Sequence, residues 1–248
     1  MLTYASTTTP PLRPKRLRFC VLSAQEIRQM SVCQVVHPRL YYRGLPATGG
    51  LLDPLMGTVD RRHLCATCMN DARTCPGHSG HIELAFPVYH IGLVDTVVRC
   101  LRTVCFACSR VCLQSDEHVQ LHDVSQRNRL TTLHNLVRMR RICPHCGLPR
   151  PTVARAPLGV RVEWAPEAGF ESEEERRYCT STFTARDALS ILRNVPDDDV
   201  RLMGFSPSES HPMNMVVQNL VVPPPCTRPA VYSSEGSRSR GQNDLTNH

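Results

Sequence analysis

The sequence predicts an α+β fold that is irregular and rich in loops. Segments with helical spacing of apolar residues and segments with strand-like alternation both occur along the 248 residues. The chain contains 20 prolines and only 5% aromatic residues, so we expect a modest apolar core. Two clusters of cysteine and histidine have metal-ligand spacing, and we expect bound metal to supply part of the stability that a small core lacks.

Five segments are predicted to be helical, from apolar residues on one face or from residues typical of a helix start. They cover 24–30, 90–102, 128–140, 184–192 and 197–204. The first begins at a capping box formed by Ser23 and Glu26. The last begins with three consecutive acids, Asp197–Asp199, whose side chains would point to different sides of a helix. We interpret them as favourable charge at a helix N-terminus and not as a metal site.

Two segments are predicted to be strands. The first covers 80–87 and is expected to end at Pro87, and the second covers 215–222 and stops before three prolines. Residues 43–60 are rich in turn formers and are expected to be a loop. Composition predicts a disordered lead at 1–14 and a polar tail at 233–248, while 151–182 has no clear pattern.

The chain has a formal charge of +7, and 28 of its 29 basic residues are arginine. This mild excess permits a nucleic-acid partner without requiring one. The first residues do not form a signal peptide, and no apolar run has the length of a membrane span. We therefore expect an intracellular, reducing setting and no membrane partner. In that setting, thirteen cysteines favour metal binding over disulfides.

The first cluster pairs Cys65 and Cys68 with Cys75 and His78. A two-residue spacing lets a tight turn direct two side chains at one ion, and two such pairs can complete a tetrahedron around Zn²⁺. Three thiolates and one imidazole leave no open position, which is typical of a structural zinc. Disulfide bonding is the alternative, and the reducing setting argues against it.

The second cluster pairs Cys105 and Cys108 with Cys143 and Cys146. Proline and glycine around the second pair are typical of a zinc-binding turn, so we expect a second structural Zn²⁺ held by four cysteines. The alternative is two separate redox pairs. A redox pair normally stands at a helix start in a βαβ unit, and that setting is missing here.

The remaining cysteines and the neighbouring histidines are not needed to complete either ligand set. We expect His63, His81 and His145 to be surface or hydrogen-bonding residues. Six cysteines without a partner at ligand spacing are expected to be small apolar core residues. They are Cys20, Cys33, Cys100, Cys112, Cys179 and Cys226.

Six collinear segments resemble the N-terminal region of the largest subunit of multisubunit DNA-directed RNA polymerases, in its eukaryotic polymerase II-like form. They cover 15–31, 49–57, 65–84, 221–225, 228–230 and 243–246. The most specific contains Cys75-Pro-Gly-His78 followed by Gly80-His-Ile-Glu-Leu84. The resemblance extends along nearly the whole chain and is lost at 151–182.

The resemblance implies a zinc-stabilised polymerase clamp module, which closes over template DNA and the RNA–DNA hybrid. Residues 15–232 would form the clamp core and the clamp head, with both zinc sites within 63–150, and 233–248 would lead into the remainder of the subunit. Carried over residue by residue, the eight zinc ligands are those derived from spacing. The implied partners are the rest of the largest subunit, the second-largest subunit, template DNA and the hybrid, with Arg138, Arg140 and Arg141 as candidate DNA contacts.

No catalytic residue is expected in this chain. The family's signature Asn-Ala-Asp-Phe-Asp-Gly-Asp, which holds catalytic Mg²⁺, does not occur, and neither does a P-loop or an HExxH motif. The resemblance therefore implies a polymerase component whose Mg²⁺ is bound by the remainder of the subunit, and we expect either a fragment or a subunit split between genes. The alternative is a stand-alone zinc-stabilised DNA-binding or regulatory protein derived from a polymerase. A cellular protein is expected in the nucleus, and a viral one in the viral factory or virion.

Overall fold

The computed structural model describes residues 15, 17, 19–59, 63–121, 123–157, 159–164, 183–229, 231–232, 240–241, 243 and 246. The predicted disordered lead at 1–14 lies outside the described residues. So do 165–182 and most of the predicted polar tail.

Helices and strands alternate with long loops in this part of the chain, which confirms the predicted mixture of the two. The helices are α1 (Ala24–Met30), α2 (Val94–Thr103), α3 (Gln126–Val137), α4 (Ala185–Arg193) and α5 (Asp197–Leu202). The strands are β1 (Tyr41–Tyr42), β2 (Leu45–Pro46), β3 (Gly80–Tyr89), β4 (Thr152–Ala156), β5 (Gly159–Glu163), β6 (Val216–Val222), β7 (Val231–Tyr232) and β8 (Arg240–Gly241). Short 3₁₀ helices cover Pro54–Met56, Ile91–Leu93, Ser115–Leu121, Pro212–Met215 and Pro225–Thr227. The strands form four antiparallel pairs: β1 with β2, β3 with β6, β4 with β5, and β7 with β8.

The predicted helices are all present, and local capping fixes two of their starts. The Ser23 hydroxyl accepts a hydrogen bond from the backbone N–H of Glu26 at 3.2 Å, and the Glu26 carboxylate accepts one from the Ser23 N–H at 2.7 Å. Thr184 and Asp187 make the same reciprocal pair at the start of α4. Helix α2 begins later than the predicted 90–102, because Ile91 lies in the 3₁₀ turn that precedes it and is 90% exposed.

Strand β3 continues through Pro87, so the expectation that this proline ends the strand is wrong. The one-to-one pairing of β3 with β6 holds from Gly80 to Glu83, resumes at Val88, and shifts in register between them. Proline has no N–H to donate, and Pro87 is tolerated here because it falls in this irregular stretch.

Two further segments contain elements that were not predicted. The segment 43–60 is not loop throughout, because β2 and the Pro54–Met56 turn lie in it. The segment 151–182, which showed no pattern, contains the hairpin of β4 and β5.

One main core and one smaller apolar cluster hold the described residues together. The main core combines residues of α2, α3, α4 and α5 with the β4–β5 hairpin, and it includes Cys105 and Cys143. The smaller cluster centres on Val35, Met56 and Val222, with Leu51 and Ile82 among the residues packed against it. The two predicted metal sites are therefore supported by different parts of the fold.

Candidate metal centres

The first ligand set begins with a tight turn at Cys65. The Cys65 N–H donates to the carbonyl of Asn70 at 2.9 Å, and the Met69 N–H donates back to the carbonyl of Cys65 at 2.8 Å. Met69 adopts a left-handed conformation with φ 58°. This turn brings the thiols of Cys65 and Cys68 to the same side.

Cys75 and His78 face this turn from the chain that leads into β3. The Cys75 Sγ and His78 Nε2 atoms are 3.8 Å apart, and the Gly77 N–H donates to the Cys75 sulfur at 3.4 Å. Gly77 has φ 81°, and a Cβ on it would lie 2.6 Å from the Cys226 sulfur, so glycine is required here. The four ligand atoms of Cys65, Cys68, Cys75 and His78 all lie within 4.8 Å of one another.

The second ligand set consists of two turns with the geometry seen at Cys65. Cys105 exchanges backbone hydrogen bonds with Ser109 and Arg110, and Cys143 does so with Gly147 and Leu148, all at 2.9–3.0 Å. These turns place Cys105, Cys108, Cys143 and Cys146 so that their four sulfurs lie within 4.8 Å of one another. Three of the four pairs in the two clusters are thus copies of one local structure, in which the fourth residue after the first cysteine is left-handed.

The distances between the donors fit a tetrahedral zinc ion. A Zn–S bond of about 2.3 Å places two sulfurs of a tetrahedron about 3.8 Å apart. The sulfur–sulfur distance is 3.6 Å for Cys105 and Cys146, and 3.7 Å for Cys108 and Cys143. Both are far longer than a disulfide bond of about 2.05 Å, and all twelve cysteines in the described part of the chain have free thiols. The two Cys-rich groups can therefore each hold a metal ion.

In each cluster, backbone N–H donors favour the thiolate form of one cysteine. Burial opposes ionisation of Cys143, but the backbone N–H groups of Cys146 and His145 outweigh it and lower the pKa of this thiol to about 6. Burial likewise opposes ionisation of Cys65, and the N–H groups of Cys68 and Thr67 again outweigh it, so its pKa lies below the ordinary value. Burial raises the pKa of the other thiols that shift, to about 11 for Cys75 and about 12 for Cys108. Metal binding must therefore release further protons from each cluster, because all of these ligands bind as thiolates.

The Pro54–Met56 turn supports the first ligand set. The Ala66 N–H donates to the Pro54 carbonyl at 3.0 Å, and the His78 N–H donates to the Met56 carbonyl at 2.9 Å. The turn is capped by the buried carboxylate of Asp53, which accepts from the N–H of Leu55 at 2.8 Å. The Cys65–Cys68 turn and the Cys75–His78 segment are thus both hydrogen-bonded to this one short element.

His145 and Arg150 support the second ligand set. His145 Nε2 donates to the carbonyl of Val111 at 2.9 Å and so joins the two turns. The Arg150 guanidinium donates to the carbonyls of Val137 and Arg140 at 3.0 Å and also to that of Arg102. It therefore satisfies carbonyls at the ends of both α2 and α3, where a cation is favourable. Sequence reasoning missed Arg150, because its partners are distant in the sequence.

His63, His81 and His145, which were not expected to bind metal, lie outside both ligand groups. His81 is buried, and its Nδ1 lies 2.7 Å from the Ser31 hydroxyl. Since that hydroxyl donates to the Cys33 carbonyl at 2.8 Å, Nδ1 of His81 is the donor of the pair. His63 is exposed. The predicted hydrogen-bonding role is confirmed for His81 and His145.

The expectation for the six unassigned cysteines is confirmed only in part. Cys100 and Cys112 are fully buried, and Cys33 is half-buried against the smaller apolar cluster. Cys20 and Cys226 are exposed, so the prediction is wrong for them. Cys226 lies at the surface, where its thiol donates to the Pro76 carbonyl and packs closely against Gly77. Cys179 lies outside the described residues.

The three arginines named as candidate DNA contacts differ in their surroundings. Arg138 and Arg141 are exposed, whereas Arg140 is half-buried and paired with the carboxylate of Glu117. Asp199, one of the three acids at the start of α5, accepts a hydrogen bond from the Val111 N–H at 2.8 Å. This bond attaches the helix to the first turn of the second ligand set and gives the acid a structural role.

Comparison with known proteins assigns the family. A family model described as RNA polymerase Rpb1, domain 1, matches residues 13–248. The chain belongs to this family. It is also similar to the DNA-directed RNA polymerase II subunit RPB1 of Euplotoides octocarinatus, with 30% identity over 257 residues that cover 98% of this chain and 53% of that protein. The chain spans about half the length of this relative. The resemblance to an N-terminal region of the largest polymerase II-like subunit is thereby confirmed. In the described part of this Rpb1 domain 1 chain, no helix combines the length and apolar character of a membrane span.

Proposed function

We propose that this chain is the N-terminal clamp portion of the largest subunit of a DNA-directed RNA polymerase, and that it helps to hold template DNA and the RNA–DNA hybrid during transcription. The observation that carries the proposal is the Rpb1 domain 1 match over residues 13–248, which includes both Cys-rich groups. Its partners would be the rest of the largest subunit and the second-largest subunit. A nuclear location follows from the proposal for a cellular protein.

We further propose that Cys65, Cys68, Cys75 and His78 bind one structural Zn²⁺ and that Cys105, Cys108, Cys143 and Cys146 bind another. The donor types and distances support zinc, and full sets of four donors support a structural and not a catalytic role. Bound zinc would neutralise thiolate charge and fix the cysteine turns in position. The residues around the sites hold the ligands, and none is proposed to take part in chemistry.

Purification of a tagged chain from its source cells tests the proposed role. We expect the other polymerase subunits to be recovered with it, and we expect a Cys105→Ser, Cys108→Ser variant to recover far less of them because the main core depends on this site. A Cys20→Ser variant is the matched control, since Cys20 is exposed and outside both ligand groups. Recovery of the zinc-loaded chain without any polymerase subunit would contradict the proposal and favour a stand-alone DNA-binding protein.

A further inference from the structure

A cavity of about 440 Å³ lies beside the Pro54–Met56 turn. Its walls come from three separate stretches of the chain, namely the β1–β2 hairpin, the residues around and after the turn, and the residues that follow β6. Most of the side chains in these walls are apolar, and they include Tyr41, Pro46, Leu52, Pro54, Val59 and Leu64. The volume falls within the range of about 300–1,000 Å³ that is typical of small-molecule sites.

The described residues that line this cavity include one arginine, Arg228, and no carboxylate. Arg228 is buried, with only 4% of its surface exposed. Its Nε–H donates to the Pro223 carbonyl at 3.0 Å, and its Nη1 donates to the Thr246 hydroxyl at 3.1 Å. Its Nη2 donates to the Leu51 carbonyl at 2.7 Å. These acceptors are all neutral, so they satisfy donors of the guanidinium without neutralising its charge.

The positive charge of Arg228 has no acidic counterpart in the described part of the chain. None of the ion pairs between described residues includes this arginine. Burial lowers the pKa of the Arg228 guanidinium, and the nearby Cys226 thiol offsets this only in part. An anion in the cavity would therefore relieve the unfavourable burial of an uncompensated charge.

The chemistry of the cavity favours a carboxylate on an apolar body. A guanidinium has five N–H groups, and Arg228 uses three of them, so one remains on each terminal nitrogen. Two N–H groups match the two oxygens of one carboxylate. A phosphate dianion would bring a second negative charge into apolar surroundings, and a single arginine does not neutralise it.

The walls suit a small molecule better than a length of polypeptide. A bound polypeptide would bring backbone N–H and C=O groups that need hydrogen-bond partners when they are buried. Pro46, Pro54 and Pro225 line the cavity and have no backbone N–H to donate. A small ligand needs only one polar contact here, and Arg228 provides it.

We propose that this cavity binds a small apolar carboxylic acid, whose carboxylate pairs with Arg228 and whose apolar body lies against Tyr41, Val59 and Leu64. We call it the Arg228 cavity. The ligand would also lie against Pro54, in the turn to which both halves of the first ligand set are hydrogen-bonded. This binding site goes beyond the proposed polymerase role and does not depend on it.

The test compares two probes of nearly the same shape, the acid 2-naphthylacetate and the neutral 2-naphthylacetamide. Isothermal titration calorimetry measures their binding to the zinc-loaded 248-residue chain. We expect the acid to bind about tenfold more tightly than the amide, because a hydrogen bond to a charged group contributes about that factor. Equal affinities, or no binding of the acid at millimolar concentration, would overturn the proposal.

An Arg228→Gln variant tests the residue that selects the charge. It retains an amide N–H and removes the positive charge, so we expect the preference for the acid to fall from about tenfold to about onefold. Arg228 also joins three segments of the chain, and its replacement is expected to lower stability. If Arg228 had only this structural role, both probes would weaken equally and the preference would persist.

A Val59→Trp variant tests the cavity without changing Arg228. Val59 lines the cavity and is 48% exposed, so a larger side chain there fills the space without burial in the core. We expect both probes to bind at least about tenfold more weakly. The matched control is Val88→Trp on β3, which is also 48% exposed and lies outside the cavity. It should change the affinity less than about twofold, and equal losses in the two variants would overturn the proposal.

Two further probes distinguish other occupants. Tighter binding of 2-naphthyl phosphate than of 2-naphthylacetate would replace the carboxylate by a phosphate and overturn the proposed ligand class. Tighter binding of the capped peptide acetyl-Leu-Glu-Leu-amide would overturn it in favour of a polypeptide segment. Neither result bears on the polymerase assignment, which is tested separately by co-purification.

Discussion

At the scale of single residues, the three cysteine turns share one backbone requirement and meet it with different amino acids. The fourth residue after the first cysteine is left-handed in each turn, with φ 58° at Met69, 56° at Ser109 and 73° at Gly147. Residues with a Cβ adopt this conformation at a cost of about 1–2 kcal/mol, and glycine adopts it without that cost. The turn at Cys143 is therefore relaxed, while the other two turns must be held by their surroundings.

A Gly147→Ala variant measures this requirement without a steric clash. A Cβ at Gly147 would meet no atom within 4 Å, so only the backbone conformation is penalised. We expect a loss of about 1 kcal/mol in unfolding free energy and weaker zinc binding at the second site, measured by chelator competition.

Gly44 provides the matched control for that variant. It has φ 77°, and a Cβ there would also meet nothing within 4 Å, yet it lies outside both ligand groups. We expect Gly44→Ala to lose similar stability with unchanged zinc affinity. Equal zinc affinity in Gly147→Ala and the original chain would show that the turn tolerates a strained residue without loss of ligand geometry.

At the scale of elements, a buried histidine begins the 3₁₀ helix Pro212–Met215 and gives it a dependence on pH. Nδ1 of His211 accepts a hydrogen bond from the Met213 N–H at 3.2 Å, which requires the neutral imidazole. Burial lowers the pKa of His211, and the nearby Asp197 carboxylate and a bond to the Val195 backbone offset this only in part.

Acid should therefore weaken this element. Because the pKa of His211 is lower in the folded chain than in the unfolded chain, the unfolded chain takes up the proton first. The stabilisation is complete above the unfolded pKa of about 6.5 and is lost as the pH falls below it. A His211→Asn variant keeps a residue suited to capping and does not titrate, so we expect a smaller loss of stability between pH 7.5 and 5.5 than in the original chain.

The control for this experiment is His90→Asn. His90 precedes the Ile91–Leu93 turn in the same way, but it is exposed and makes no side-chain capping bond. The cysteines and the histidine of the two ligand sets would also take up protons in acid, so the comparison is between the pH slopes of the two variants, measured by urea unfolding. Identical slopes would exclude His211 as the titrating group.

Elements were predictable where their cause is local in sequence. The helix starts at Ser23 and Thr184 depend on residues three positions apart, and both follow from the sequence alone. The path of β3 through Pro87 does not, because the shift in register is set by its pairing with β6 far along the chain. The β4–β5 hairpin was missed because each of its strands has only five residues, so the apolar alternation is short.

The candidate metal sites were also predictable only where the cause is local in the sequence. Cysteine spacing predicted both groups of four that the fold brings together, because a tight turn depends only on neighbouring residues. The supporting contacts did not follow from the sequence. Arg150 reaches carbonyls up to 48 residues away, and nothing local distinguishes it from the other 27 arginines of the chain.

At the scale of the whole molecule, the two ligand sets are expected to contribute unequally to the stability of the fold. Cys105 and Cys143 are members of the main core, whereas the first set lies beside the smaller cluster around Val35, Met56 and Val222. Structural zinc contributes about 10–16 kcal/mol in small domains, which is comparable to the whole stability of a protein. Loss of an ion from the second ligand set should therefore destabilise a larger part of the fold than loss of an ion from the first.

Single ligand substitutions test whether the second ligand set contributes more to stability than the first. We expect Cys105→Ser and Cys65→Ser each to reduce the zinc content from two ions per chain to about one. In calorimetry, Cys105→Ser should remove or strongly lower the main unfolding transition, and Cys65→Ser should leave it within a few degrees. Equal effects on this transition would mean that both sites belong to one cooperative unit.

The pairing of β3 with β6 also has a consequence for synthesis on the ribosome. Gly80 pairs with Val222, so β3 has no partner strand until 142 further residues have been translated, which takes about 7–28 s at 5–20 residues per second. Each ligand set, in contrast, is complete in the nascent chain as soon as its last ligand, His78 or Cys146, has been made. Zinc would thus order both ligand sets while the edge of β3 that later pairs with β6 is still open, and the chain is most exposed to aggregation during that interval.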